Sequence, residues 1–207
     1  MPHKNILKSI ATPEFDYNII INRLEDYSYP RNKIGALIKS KEIIRVKKGV
    51  YIKADDNYNS FVVANMIYGP SYVSEDSALA HYGMIPEHVT AVTSTAFLRK
   101  RRYSTPIGEF HFNVTQKSCY SFGVERVELD EQRAFLIASP EKALFDRLYH
   151  TKGLDSPELM REYLFENMRL EINSSFNYRK LVTLSKLSSK PFVKTLLEAL
   201  KSEVKQP

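Results

Sequence analysis

Apolar residues in the first quarter of the chain recur first with the period of a helix and then with the period of a strand. Between residues 16 and 26 they are separated by three or four positions, which predicts a helix with one buried face. Pro30 interrupts this pattern and suits the first turn of a second helix, which we expect to end near Lys41. The buried stripe of that second helix is expected to comprise Ile34, Leu37 and Ile38.

Residues 43–53 alternate between apolar and polar, which predicts two short strands. Gly49 lies at the centre of the alternation and can supply the positive φ of a tight hairpin turn. One face of the hairpin is expected to be apolar, with Ile44, Val46, Val50 and Ile52. The other is expected to carry Arg45, Lys47, Tyr51 and Lys53, so the pattern predicts a hairpin with a cationic outer face.

The remainder of the chain predicts an α+β protein. Candidate strands lie at about residues 71–74, 89–94, 102–105, 109–115, 124–129 and 134–137. Candidate helices lie at about 57–68, 75–82, 139–148, 156–168, 178–187 and 191–204. Basic residues give way to acidic ones near Asp55 and Asp56. We therefore predict an N-terminal domain at 1–55 and a mixed α/β C-terminal domain at 56–207 that ends in several helices.

Charge is concentrated in the predicted second helix and hairpin. Residues 31–53 carry a net charge of +7, whereas the whole chain carries +6, so the rest of the chain is close to neutral. Such a local excess indicates a polyanionic partner that binds at one place. The alternative is a solvated basic surface on a small structural domain.

Helix, turn, helix and basic hairpin follow one another in the order of a winged helix-turn-helix. The second helix should present its N-terminal turn and outer face to base edges or phosphates, and the hairpin should act as the wing. The predicted DNA-binding residues are Arg31, Asn32, Lys33, Lys39, Lys41, Arg45, Lys47, Lys48 and Tyr51. A second basic cluster comprises Arg99, Lys100, Arg101 and Arg102, which either form a solvated loop or contact further phosphates.

Other candidate chemistry is sparse. Glu75, Asp76, His81, Glu87 and His88 invite comparison with a metal hydrolase, but Asp76 and His81 are five residues apart and would not share one helix face. The single cysteine, Cys119, excludes an internal disulfide, and we expect it to be a buried or incidental thiol. Common phosphate-binding and hydrolase motifs are absent, as is an apolar run of about 20 residues. We therefore predict no catalytic or metal site, no cofactor, no membrane partner and a cytoplasmic location.

Five short words of the sequence, in this order, resemble the AbiEi family of antitoxins from bacterial type IV toxin/antitoxin systems, which act in abortive infection. They are KKGVY at 47–51, PSYVS at 70–74, SALAHYGMIP at 77–86, TPIG at 105–108 and ASPEKALFD at 138–146. The similarity covers about residues 16–150.

The resemblance implies a transcriptional autorepressor whose winged helix binds repeats in its own promoter, and a C-terminal domain needed for antitoxin activity. It also implies a functional partner, a nucleotidyltransferase-like toxin, that is opposed without a stable protein complex. Two other functions stay open from the residues alone. One is a nuclease targeted by the winged helix, and the other is a protein-interaction module whose basic hairpin binds an acidic partner.

Overall fold

The computed structural model describes residues 3–55, 57–87, 89–201 and 203, and these form a mixed α+β structure with two hydrophobic cores. The N-terminal part contains α1 (His3–Ser9), β1 (Glu14–Asp16), α2 (Tyr17–Asn22), α3 (Pro30–Lys39), β2 (Ile43–Lys47) and β3 (Val50–Lys53). Its sheet has the order β1-β3-β2, and both strand pairs are antiparallel.

Local signals explain where the N-terminal helices begin. The side chain of Asp16 accepts a hydrogen bond from the Ile19 amide and caps α2, while Pro30 occupies the first turn of α3. Ile20 and Leu24 on one side, and Ile34 and Leu37 on the other, are buried in the smaller core. The helix predicted for residues 16–26 is therefore present, although it is shorter and ends at Asn22.

The larger part of the chain builds a six-stranded mixed sheet with the strand order β6-β7-β5-β4-β9-β8. Its strands are β4 (Ser71–Val73), β5 (Ala91–Ala96), β6 (Arg101–Thr105), β7 (Gly108–Val114), β8 (Val124–Glu128) and β9 (Ala134–Ala138). Its helices are α4 (Ser60–Ile67), α5 (Glu75–His81), α6 (Pro140–Leu148), α7 (Pro157–Arg161), α8 (Tyr178–Leu187) and α9 (Phe192–Leu200). A 3₁₀ turn spans Lys117–Cys119, and a π-helical segment, Glu162–Asn167, continues α7.

Helices cover both faces of this sheet. The Phe112 ring contacts that of Tyr68, which directly follows α4, whereas the next residue, Asn113, donates hydrogen bonds to Glu75 at the start of α5. Successive residues of a strand point to opposite faces, so α4 and α5 lie on opposite sides of the sheet. None of the helices in the described part of the chain is long and apolar enough to cross a membrane.

The hairpin of β2 and β3 lies between the two cores, which corrects the prediction of a cationic outer face. Tyr51 is buried in the smaller core, while Val46, Val50 and Ile52 are buried in the larger one. The apolar face of the hairpin therefore packs on the C-terminal part of the protein, and the opposite face packs on the N-terminal helices. Within the hairpin, only the turn and the unpaired edge of β2 remain accessible to a binding partner.

A change of register in the hairpin alters the side on which Lys47 lies. Arg45 pairs with Tyr51, but Lys47 pairs with Val50, so β2 has one extra residue at this point. Val46 lies in the larger core with Val50 and Ile52, as the alternation predicts, but the bulge sets Lys47 opposite Val50, on the side of the hairpin that faces the larger part of the protein. At the predicted domain boundary, Asp56 lies outside the described residues, and the hairpin before it contributes to both cores.

Candidate nucleic-acid interface

The exposed face of α3 is polar at its ends and small at its centre. Asn32, Gly35, Ala36, Lys39 and Ser40 are exposed, at the spacing of one helix face. A Cβ atom added to Gly35 would have no neighbouring atom within 4 Å. The predicted orientation of α3 is confirmed. The centre of its exposed face carries no large side chain, so another surface can approach it closely.

Cations lie at both ends of this face. Arg31 is exposed, and its Nε donates a 3.4 Å hydrogen bond to the Tyr17 hydroxyl group of α2. Lys33 is half-buried, with its ammonium group 5.4 Å from the centroid of the Tyr27 ring. Lys39 is exposed in the last turn, where a cation also complements the helix dipole.

Lys41 follows α3 in a backbone conformation that usually favours glycine. It is exposed and has a φ of 59°, and the amide of Glu42 bonds back to the carbonyl oxygen of Leu37 at 3.0 Å. Many helices end with this arrangement and have glycine at the left-handed position, because any other side chain strains the backbone there. Lys41 therefore places a cation at a position where glycine would remove backbone strain.

The two hairpin lysines have different environments. Lys48 is exposed beside Gly49, whose φ of 90° forms the predicted turn, and Arg45 is exposed on β2. Lys47 instead donates a 2.7 Å hydrogen bond to the Ile67 carbonyl oxygen. Arg45 and Lys48 are thus available to a ligand, whereas the ammonium group of Lys47 is directed into the contact between the two parts of the protein.

The expected outward orientation of Tyr51 is wrong. Its side chain is only 6% exposed, and its ring stacks on that of Phe15 with centroids 5.9 Å apart. Phe15 lies opposite Tyr51 on β1, a strand that the sequence pattern did not identify. β1 extends the sheet beside β3, and the N-terminal helices cover this face, so Tyr51 belongs to the smaller core and not to a ligand-facing surface.

The second basic cluster lies beside the hairpin. Arg99, Lys100, Arg101 and Arg102 are all exposed, and the last two begin the edge strand β6. Tyr103, next on that strand, has its ring centroid 4.7 Å from the Lys47 ammonium group. The structure thus brings the cluster near the cations of the N-terminal part, although Lys100 turns towards His150, with 3.4 Å between Nζ and Nδ1.

An ionic contact fixes the N-terminal part against the larger sheet at a second place. Glu14 of β1 is buried, and one of its carboxylate oxygens accepts a hydrogen bond from the Asn59 amide and lies 3.6 Å from an Arg133 guanidinium nitrogen. Arg133 follows β8 and also pairs with Asp130 at 2.6 Å. Together with the buried hairpin, this contact sets the relative position of the two basic surfaces.

A buried polar network that the sequence interpretation missed joins α6 to the centre of the larger sheet. Lys142 and Asp146 form an ion pair and are almost completely buried. The other carboxylate oxygen of Asp146 accepts hydrogen bonds from Tyr72 (3.0 Å), Ser74 (2.8 Å) and Thr95 (3.2 Å). The Lys/Asp spacing of four residues was a signal for such a pair, but it does not predict the three hydroxyl partners.

Burial and the neighbouring carboxylate also perturb acid–base groups here. Burial and then the charge of Asp146 raise the pKa of Tyr72 far above its usual value. Glu75, the first residue of α5, has a left-handed φ of 54°, and burial raises its pKa to about 8. Both of its carboxylate oxygens lie 2.9 Å from the Asn113 amide nitrogen. Tyr72 and Glu75 are both buried in the contact between the sheet and the helices and are closed to large ligands.

The carboxylates considered for a metal hydrolase are divided among separate contacts. Asp76 pairs with Arg147 at 2.7 Å and Glu87 with Arg169 at 2.6 Å, while the His81 ring packs between Phe61 and Phe135. Among residues 3–55, 57–87, 89–201 and 203, no three His, Cys, Asp or Glu side chains could hold a metal ion together. His88 lies outside the described residues.

Cys119 is buried, as expected, and burial raises its pKa, which disfavours the reactive thiolate.

In comparisons with known proteins, the sequence matches no family model and no curated protein.

Proposed function

We propose that this protein is a non-enzymatic, DNA-binding transcriptional autorepressor and the antitoxin of a type IV toxin/antitoxin system. In this proposal α2 and α3 form a helix-turn-helix, β2 and β3 form its wing, and α3 enters the major groove of promoter DNA. The observation that carries the proposal is the exposed face of α3, which has Gly35 and Ala36 at its centre and cations at both ends.

Shape supports the groove assignment for α3. The major groove of B-DNA is about 12 Å wide and admits one helix, provided that the exposed side chains do not prevent close approach. Asn32 can form bidentate hydrogen bonds with an adenine edge, and it lies in the N-terminal turn that recognition helices present to bases. The small residues behind it would let the helix backbone approach the DNA.

Charge supports a set of phosphate contacts around the groove. The exposed cations of the N-terminal part are Arg31, Lys39, Lys41, Arg45 and Lys48. Nearby, Arg101 and Arg102 are exposed on the edge strand β6, and Arg99 is exposed in the loop before it. Lys47 and Tyr51 leave the proposed set, because their side chains are engaged elsewhere. Contacts to about six phosphates would give a slope of roughly −5 for log K against log salt concentration.

The antitoxin role and the toxin partner come from the resemblance of the five words to the AbiEi family. Four of these words lie in the larger part of the protein, and ASPEKALFD includes both Lys142 and Asp146. In the proposal this part opposes a nucleotidyltransferase-like toxin without a stable complex. The proposed promoter binding places the protein in the cytoplasm.

A substitution at Gly35 separates repression from folding. Gly35→Leu adds a side chain where no atom lies within 4 Å of the new Cβ, and it improves helix propensity by roughly 0.5–1 kcal/mol. The fold should therefore persist, while the new side chain prevents α3 from entering the groove. We expect a reporter driven by the DNA upstream of this gene to be repressed by the wild type and released in Gly35→Leu.

Thr183→Leu is the matched control, since it places leucine on an exposed position of α8 far along the chain from α3. It should repress like the wild type. Repression by a folded Gly35→Leu variant would refute the assignment of α3. The antitoxin role is tested separately by co-expression with the product of the adjacent gene. Gly35→Leu should still relieve growth arrest, and failure of the wild type to do so would contradict that role.

A further inference from the structure

A cavity of about 490 Å³ lies at the end of α6, on the larger part of the protein. Its wall is formed by residues 149–155, by Lys190 and Pro191 just before α9, and by Phe192 and Thr195 of α9. This volume is within the range of small-molecule pockets. The lining includes the apolar residues Leu154, Pro191 and Phe192 as well as basic residues.

Lysines from three separate chain segments gather around this cavity. Lys152 and Lys190 line it, and the Lys190 ammonium group lies 5.2 Å from the centroid of the Tyr149 ring. Lys100, in the loop before β6, approaches from the side, with its Nζ 3.4 Å from His150 Nδ1. Asp155 is the only carboxylate in the described lining.

The hydrogen bonds of His150 determine which of its nitrogens carries the proton. Its Nε2 lies 2.7 Å from the Val114 carbonyl oxygen, which only accepts, so Nε2 must donate. Nδ1 then carries the lone pair that can accept from the Lys100 ammonium group. Burial lowers the pKa of His150 and favours this neutral form. The imidazole ring thus holds Lys100 at the edge of the cavity.

These exposed cations converge on one concave site where Asp155 is the single carboxylate of the described lining, which favours the binding of an anion. Within the described parts of the chain, no carboxylate lies within 4.0 Å of the ammonium groups of Lys100, Lys152 or Lys190. Like charges that converge on a concave site raise the local concentration of anions. A ligand with several negative charges and an organic part would contact both the basic and the apolar residues of the lining.

We propose that this cavity binds a small phosphorylated ligand of the nucleotide class, with Lys152 and Lys190 on its phosphates and Lys100 positioned beside them by His150. The organic part of the ligand contacts Leu154, Pro191 and Phe192. This site is separate from the exposed face of α3 and is independent of the proposed repressor function.

Isothermal titration calorimetry of the full chain with ATP, tripolyphosphate and adenosine tests the proposal. We expect saturable binding of ATP, weaker binding of tripolyphosphate and none of adenosine. In the double variant Lys152→Gln/Lys190→Gln the affinity for ATP should fall by about tenfold, because each exposed charge contact contributes roughly threefold. Both residues are exposed, so the fold should tolerate the change.

Lys194→Gln is the matched control. It removes the same charge from an exposed position of α9 that does not line the cavity, and it should bind ATP like the wild type. Equal losses in the control and the double variant would overturn the proposal, as would the absence of saturable ATP binding. Binding of a single-stranded oligonucleotide but not of ATP or tripolyphosphate would also overturn it, because the phosphates would then belong to a polymer.

Discussion

The ammonium group of Lys47 lies 4.7 Å from the centroid of the Tyr103 ring, which joins the basic hairpin to the edge strand of the larger sheet. The same group donates a hydrogen bond to the carbonyl oxygen of Ile67. A residue that the sequence places in a DNA-contacting wing therefore holds together two parts of the protein. Its neighbour Lys48 is exposed, so adjacent lysines of one hairpin should differ in their effects.

We expect Lys48→Ala to weaken DNA binding without loss of stability. Removal of one phosphate contact should reduce the magnitude of the salt slope by about 1. Lys47→Ala should instead leave the slope nearly unchanged and lower the free energy of unfolding by about 1–2 kcal/mol, through the lost hydrogen bond and cation–π contact. Urea unfolding and anisotropy titrations at several salt concentrations measure the two effects, and the reverse pattern would refute these assignments.

Lys41 should show opposite effects on stability and binding. Because its φ is 59°, Lys41→Gly should raise the free energy of unfolding by about 1 kcal/mol, whereas loss of the cation should reduce the salt slope by about 1. Lys41→Asn also removes the charge and tolerates this backbone conformation, so it should bind DNA as Lys41→Gly does. Undiminished binding by both variants would exclude Lys41 from the interface.

Tyr51 should influence stability and not DNA contacts. Tyr51→Ala removes a ring that stacks on Phe15 in the smaller core, and we expect it to lower the free energy of unfolding by about 3–5 kcal/mol. Tyr51→Phe keeps that ring and should leave DNA affinity within twofold of the wild type. A large loss of affinity in a stable Tyr51→Phe protein would show that the hydroxyl group contacts the ligand.

Glu75 should make stability depend on pH. Burial raises its pKa from 4.5 to about 8, so between these values the folded protein keeps a proton that the unfolded chain releases. Higher pH therefore favours unfolding, and the stabilisation present below pH 4.5 is lost as the pH rises to about 8. Urea unfolding at several pH values should show this decline in the wild type and a smaller one in Glu75→Gln. Equal declines would assign it to other groups.

The local elements of the N-terminal part were predictable because their signals are local. Pro30 and the apolar stripe of Ile34 and Leu37 are sufficient to identify α3 and its exposed face. The burial of Tyr51 was not predictable, because it depends on pairing with Phe15 across a long sequence separation. Alternation reveals that a strand has two faces, but it does not reveal that both are covered.

In the larger part, helix starts were predictable and polar contacts were not. The sequence at Ser139 and Pro140 correctly predicts α6, although the Ser139 hydroxyl group donates to Glu141 and does not cap the helix. The three hydroxyl partners of Asp146 come from β4, from the residue after it and from β5, and all lie more than 50 residues earlier. Such distant contacts leave no periodic signal in one sequence.

The affinity of the wild-type protein for its own promoter tests the central claim most directly. Fluorescence anisotropy at about 0.15 M salt should compare the duplex upstream of this gene with a shuffled duplex of the same length and composition. We predict that the promoter binds about a thousandfold more tightly, since specific sites exceed random DNA by at least roughly that factor. Equal affinity for the two duplexes, or no binding to either, would contradict the account.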